Sequence, residues 1–534
     1  MSDRTVLLGL DGATFAVLDP LMQEGVMPFL KEFVASGARG DLQSVIPALT
    51  PPAWTSLTTG RSPGRHGIFD FFCKESPDSH NIRIATAKDV HGETIWSIAD
   101  RHGLRTIALN FPLMFPAPRI RGYVVPGWMP WRQIRLGCHP PELYDRLKKL
   151  PGFNAQELAM DITPDAKPIQ GVRPGEYEEW VVVHIRREQQ WATILRTLMQ
   201  EDPCELTAIV FDGVDRIQHL CWRYLSPAAG ETLSPEGARI RQRCVEYFRE
   251  LDRLLAGVVG LAGPEATVVI ASDHGFGPQT GTFFANAWLE KQGYLAWAGE
   301  GTPRADRPEA LGIEQLARHA YLLDWEKTRA YAPTPSSNGI HIVRRGPAHP
   351  HGVPDDEYEG FRQKLAQQLR EATDPVTGKS IVSRVWTRDE VFEGPYKSLA
   401  PDLTIDLADG GLISILASDV PYMSRTETSG THRRNGVFMA RGPGIARGVR
   451  LSGVSILDVP PLLLHSLDLE IPADMEGTVP EGALEPSWLR SRPIRRAAAA
   501  LIEDVPEPQA EEALFTKEDE LKLAQRLRDL GYID

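Results

Sequence analysis

Three short apolar runs, each ending in an acidic turn, constrain the fold of this chain more than any other feature. Val6–Leu10 (VLLGL) runs into Asp11-Gly12, Leu206–Phe211 (LTAIVF) into Asp212-Gly213, and Ala266–Ala271 (ATVVIA) into Ser272-Asp273-His274-Gly275. Short apolar runs without alternation are typical of strands covered on both faces, which requires helices above and below the sheet. Thr106–Leu109 (TIAL), Leu403–Leu407 (LTIDL) and Val437–Ala440 (VFMA) extend the set. Helical patterns fall between them: Phe29–Ala35, stopped by Gly37, and the amphipathic Arg239–Ala256. Strands alternating with helices predict an α/β fold with a doubly wound, mostly parallel sheet. Ligands of such sheets collect at the carboxyl ends of the strands. Acidic residues at three of those ends therefore point to one site.

The core is expected in three parts, 1–134, 201–289 and 401–474. Two inserted cap subdomains separate them. The first, 135–200, carries a Cys-His-Pro-Pro turn and the helical run Tyr177–Met199. The second, 290–400, carries RRGPAHPHGVPDDEYEG and a helix near Tyr358–Ala372. A C-terminal arm and helix, 475–534, completes the chain. Its first part is rich in Pro, Glu and Ala and reads as extended. Its end, TKEDELKLAQRLRDLGYID, has Thr516 to cap a helix and Gly531 to stop it. That amphipathic helix is expected to dock on the protein itself or on a second copy, as in a homo-oligomer.

The formal net charge of -13 over 534 residues argues against a nucleic-acid polymer as partner. The five cysteines are scattered without CxxC spacing, which fits a reducing compartment rather than a disulfide framework. The first apolar run is cut by Asp11 too soon for a signal segment, and no run is long enough to span a bilayer. A cytoplasmic protein without membrane contact is the expectation.

The strand-end residues have the composition of a metal site. Asp215 and His219 stand four apart, on one face of a helical turn. Asp273 and His274 are adjacent in the turn after their strand, where both can converge on one point. His432, in SGTHRRNGVFMA, precedes the last core strand. Three carboxylates (Asp11, Asp215, Asp273) and three imidazoles suit two divalent cations, zinc first and manganese as the alternative. Two such ions can clamp a phosphoryl group and activate a nucleophile. The hydroxyl to be activated is sought in ALTPPAWTSLTTG, residues 48–60. Thr50 precedes Pro51-Pro52, and proline favours the first turn of a helix. Thr50 is therefore expected as the N-cap, at the positive end of the helix dipole.

In this order the motifs resemble the alkaline phosphatase superfamily, and within it the type I phosphodiesterase/nucleotide pyrophosphatase branch. They are LLGLDG (7–12), IPALTPPAWTSLTTGRSPGRHGIFD (46–70), FDGVDRIQH (211–219), ASDHGFG (271–277) and SGTHRRNG (429–436). With the LRDLGYI ending, the pattern is similar to a group described as predicted phosphohydrolase/phosphomutase enzymes. The resemblance implies an alkaline phosphatase-like core. It implies one metal at Asp11, Thr50, Asp273 and His274, and another at Asp215, His219 and His432. Thr50 would attack phosphorus and carry a covalent intermediate that water then hydrolyses. One position departs: the asparagine that holds a phosphate oxygen in the nucleotide pyrophosphatases aligns with Phe71, which cannot donate. Asn110 or Arg433 are the candidates to replace it.

The leading expectation is thus a binuclear metal phosphodiesterase acting on a small phosphoester such as a nucleotide. The alternatives are a phosphomonoesterase or phosphonate hydrolase on the same core, and a metal-binding pseudoenzyme that senses a phosphorylated ligand. Trp54, Trp128 and Trp131 are candidates for an aromatic wall against a base or sugar. DPVTGKS (374–380) lacks the earlier glycine and the preceding buried strand of a phosphate-binding loop and is set aside.

Overall fold

The three acidic-ended runs become neighbouring strands. The structure, a computed structural model, describes residues 4–74, 79, 82–159, 174–226, 232–299 and 322–498. The expected C-terminal helix lies outside these residues. The central sheet has eight strands: β1 (Arg4–Leu10), β2 (Ala38–Gln43), β3 (Thr106–Leu109), β4 (Gly122–Val125), β5 (Leu206–Phe211), β6 (Ala266–Ala271), β7 (Asn435–Arg441) and β8 (Val449–Ser455). Their order is β8-β2-β7-β6-β1-β5-β3-β4. Strand β1 runs parallel to both β5 and β6. Only β7 runs the other way, antiparallel to β6 and to β2. Register aligns Leu10 with Phe211, and Gly9 with Ala271. Asp11, Asp212 and Asp273 therefore emerge at one end of three adjacent strands, as the sequence suggests.

Two readings change. Val437–Ala440 lies in the central sheet, but as its antiparallel member. Leu403–Leu407 is a strand of another sheet, paired antiparallel with Gly339–Ile342 and Val382–Thr387. A five-residue apolar run reports burial, not which sheet buries it. Strands β2, β4 and β8 carried no signal in the sequence. The ARGDLQ of β2 alternates buried glycine and leucine with exposed acid and amide, which falls below an apolar-run criterion.

The chain divides into two units. The first holds the described residues of Met1–Ser62, Thr86–Phe276 and His432–Leu514, and with them the whole eight-stranded sheet. Helices α1 (Pro28–Ala35), α2 (Thr50–Thr59), α3 (Pro174–Glu201), α4 (Gly213–Leu225) and α5 (Pro235–Ala262) belong to it. The expected first insertion, 135–200, is drawn differently here. Its long helix α3 packs along α5 and α4. One face of α3 buries Trp180, His184, Arg187, Glu188 and Trp191, at a spacing of three and four residues that turns them all inward. Across this unit Asp252 of α5 accepts the Phe29 and Leu30 amides at 3.0 and 2.8 Å. It thereby caps α1, whose own N-cap residue, Met27, has no capping side chain.

The second unit holds the described residues of Pro63–Ala85 and Gly277–Thr431, wider than the expected 290–400. It contains a four-stranded sheet, Ala330–Tyr331, Gly339–Ile342, Leu403–Leu407 and Val382–Thr387 in that order. Asp70 is buried in this unit, where the Thr334 and Ser336 hydroxyls and the Phe71 amide donate to its carboxylate. Asp374–Ser380 forms a turn closed by Asp374, which accepts from the Val376 amide and the Thr377 hydroxyl. This is loop chemistry, not a phosphate cradle. Among the described residues no helix is long and apolar enough to cross a membrane.

Candidate active site

Two buried three-residue groups form at the carboxyl end of the central strands of the first unit. In one, ligand atoms of Asp215, His219 and His432 lie within 4.8 Å of one another; in the other, those of Asp11, Asp273 and His274 do. The first group is built by α4, which starts right after β5. Its i, i+4 spacing puts His219 Nε2 3.5 Å from Asp215 Oδ1. His432, just before β7, places its Nε2 3.3 Å from the same oxygen and 3.1 Å from His219 Nε2. In the second group His274 Nε2 stands 3.2 Å from Asp273 Oδ2 and 3.7 Å from Asp11 Oδ1. The groups adjoin, because the His274 and His432 rings stack with centroids 3.6 Å apart.

The imidazoles are oriented from behind. His274 Nδ1 meets the Gly275 carbonyl at 3.1 Å, and His432 Nδ1 meets the Ala48 carbonyl at 3.0 Å. A carbonyl only accepts, so Nδ1 donates in both rings, and Nε2 is the nitrogen turned toward the carboxylates. The Gly12 amide donates to Asp273 Oδ1 at 3.1 Å, and Gln218 holds the Gly12 carbonyl at 2.8 Å. Gly12 has a φ of 64°, a left-handed turn that lets β1 deliver Asp11 and then swing its next amide to Asp273. The Phe276 ring packs edge-on to His219 at 4.7 Å and seals that side.

Burial and mutual repulsion set the protonation of this cluster. Burial, then the facing carboxylates, pushes Asp11 well above the usual carboxylate range. Asp273 is likewise raised, first by burial. Burial also acts to raise Asp215, but His219 and His432 outweigh it and hold that carboxyl well below its ordinary value. Burial, then neighbouring His432, drives His274 well down. Bringing three carboxylates together in the interior is costly unless a cation joins them.

Thr50 opens α2 rather than capping it. Leu49 takes the cap position with extended backbone and makes no side-chain cap bond. The Thr50 hydroxyl, completely buried, lies 3.3 Å from His274 Nε2. The later hydroxyls turn back on their own helix: Thr58 donates to the Trp54 carbonyl at 2.9 Å and Thr59 to that of Thr55 at 2.7 Å.

The three substrate-binding candidates have the following partners. The Asn110 amide donates to the Val210 carbonyl at 2.8 Å and to Asp212 Oδ1 at 3.3 Å, so it ties β3 to β5. Arg433 donates from Nη1 to the His432 carbonyl at 2.9 Å. Phe71 is a buried residue of the second unit, its carbonyl taken by the Ala85 amide. Asp212, the third strand-end acid, is not in either group. Arg187 and Arg216 both donate to it, all three buried. Trp54 is a core residue, 1% exposed, with its indole N–H on Asp11 Oδ2 at 3.1 Å. Arg216 lies over the Trp128 ring and Arg132 over that of Trp131. The Trp54 bond and the two carbonyl acceptors escaped the sequence reading. Only Trp54 left any trace there, as a candidate for an aromatic wall.

Comparison with known proteins follows this geometry. Solved structures with a similar course include phosphonoacetate hydrolase from Sinorhizobium meliloti 1021 in complex with phosphonoformate. It is 17% identical over 87% of this chain and 95% of that one, with a TM-score of 0.49. Murine ectonucleotide pyrophosphatase/phosphodiesterase 5 in complex with AMP is 14% identical over 88% and 95%, with a TM-score of 0.48. No curated protein matches the chain. The family model for type I phosphodiesterase/nucleotide pyrophosphatase matches residues 5–436, a span that includes every residue of both groups and Thr50. The members of that family are phosphohydrolases, and the chain is an enzyme of this class. It belongs to the type I phosphodiesterase/nucleotide pyrophosphatase family.

Proposed function

We propose that the chain hydrolyses small phosphodiesters or nucleotide pyrophosphates through a covalent intermediate on Thr50. Two divalent cations would be held, one by Asp11, Asp273 and His274, the other by Asp215, His219 and His432. The observation that carries this reading is the Thr50 hydroxyl 3.3 Å from His274 Nε2, beside two buried three-ligand groups. The donors fit such ions. Asp11 Oδ1 and Asp273 Oδ2 are buried and accept no hydrogen bond among the described residues. Carboxylate oxygen with imidazole nitrogen suits zinc, with manganese as the alternative. Bound there, the cations would supply Lewis acidity toward the phosphoryl oxygens and favour ionisation of the hydroxyl.

On this reading Thr50 is the group that reacts. Thr50 Oγ1 forms a bond to phosphorus while the bond to the leaving oxygen breaks on the opposite side. Water then cleaves the phosphothreonine and restores the hydroxyl. His274 and His432 are oriented toward the site by their carbonyl partners. The family makes a nucleotide diester the first substrate to try.

Thr50→Ala tests the reading. Its turnover of bis(p-nitrophenyl) phosphate should fall by about three orders of magnitude or more. Metal analysis of the purified wild-type protein should find a transition metal. Full activity without the hydroxyl, or wild-type protein that takes up no divalent ion, sinks the proposal. Turnover of p-nitrophenyl phosphate beside the diester separates the diesterase from the monoesterase alternative.

A further inference from the structure

Trp54 does not form the expected aromatic wall. Its indole N–H points at a carboxylate of the candidate site, 3.1 Å from Asp11 Oδ2. The other oxygen, Asp11 Oδ1, is buried without a hydrogen bond among the described residues and faces His274 Nε2 at 3.7 Å. The two oxygens of one carboxylate are thus differentiated by a single donor.

The indole is packed on two sides. Beneath it β1 carries Gly9, where a methyl group would come within 2.5 Å of Trp54 Cη2 and 3.0 Å of Cζ3. Phe111 meets the ring edge-on at 5.5 Å, and Trp96 backs Phe111 at 5.3 Å. Trp54 also follows Thr50 by four residues on α2, so the two side chains share one face of that helix. The bond from Trp54 to Asp11 therefore fixes α2, and the hydroxyl at its start, against the end of β1.

We infer that Trp54 is a positioning residue, whose indole N–H occupies Asp11 Oδ2 and leaves Oδ1 as the one oxygen offered to a cation at the Asp11–Asp273–His274 group. Gly9 is the space that makes this possible. The inference rests on the metal-binding reading above. A donor aimed at a ligating carboxylate orients it and limits it to one oxygen, and loss of such a partner typically costs about 10- to 100-fold in metal affinity.

The test is a zinc titration against a chromophoric chelator, with wild type, Trp54→Phe and the double variant Gly9→Ala/Trp54→Phe. Phenylalanine removes the N–H and also the outer ring. The alanine methyl refills the volume that Cη2 and Cζ3 leave. Thermal unfolding of the metal-free proteins reports packing, and the titration reports the ligand. Trp54→Phe should lower the midpoint, and the double variant should recover part of that loss. Both should lose about 10- to 100-fold in one of the two zinc-binding steps and retain the other. Affinity that returns with the packing, or a Trp54→Phe protein that binds both ions as wild type does, overturns the inference and leaves the functional proposal standing. Wild type that binds no zinc overturns both.

Discussion

Thr50 differs from the hydroxyls that follow it by what it faces. Thr58 and Thr59 have carbonyls of their own helix within reach, whereas Thr50, at the helix start, turns to His274. The residue types that such chemistry requires were legible, because carboxylates and histidines at strand ends have few other reasons to recur. Roles that rest on a bond between distant residues were not. Nothing in the spacing of Asp11 and Trp54 reports their contact, and any residue could supply the Ala48 and Gly275 carbonyls. Asp212 also stands at a strand end, but its carboxylate is consumed by Arg187 and Arg216. Asp212→Asn would leave Arg187 and Arg216 buried without their carboxylate. Removing one partner of such a cluster costs about 3–5 kcal/mol. Urea unfolding should show that loss, and an unchanged midpoint would mean that the two arginines find another partner.

Secondary structure was legible where a pattern repeats over several turns. The helices over Phe29–Ala35, Tyr177–Met199 and Arg239–Ala256 are present as Pro28–Ala35, Pro174–Glu201 and Pro235–Ala262. Strands that are polar or near the sheet edge were missed, since only pairing, not composition, makes ARGDLQ a strand. Helix ends depend on partners that sequence cannot place. The start of α1 is capped by Asp252, more than two hundred residues away. Asp252→Ala should therefore cost about 1–2 kcal/mol, like the loss of a local cap. Thermal unfolding measures it, with Asp252→Asn expected to lose less because its amide oxygen still accepts.

At the scale of the whole molecule, stability should carry a pH signature from the second unit. Burial pushes Asp70 up to about 6, against hydroxyl and amide donors that act to lower it. The folded chain then keeps a proton that an unfolded carboxyl releases near its ordinary value of 3.8. This stabilisation is complete below that value and is lost as pH rises through about 6. The difference in unfolding free energy between wild type and Asp70→Asn should shift by roughly 3 kcal/mol across that window and stay flat above it. Curves that run parallel would remove Asp70 as the source. The sheet order has a consequence for synthesis. Strand β2 ends at Gln43, and neither of its neighbours, β7 and β8, begins before Asn435. While the chain leaves the ribosome, β2 has no strand to pair with, and β6 presents an open flank where β7 will insert. A stop codon as late as Gly430 therefore leaves β2 unpaired on both sides and the flank of β6 open.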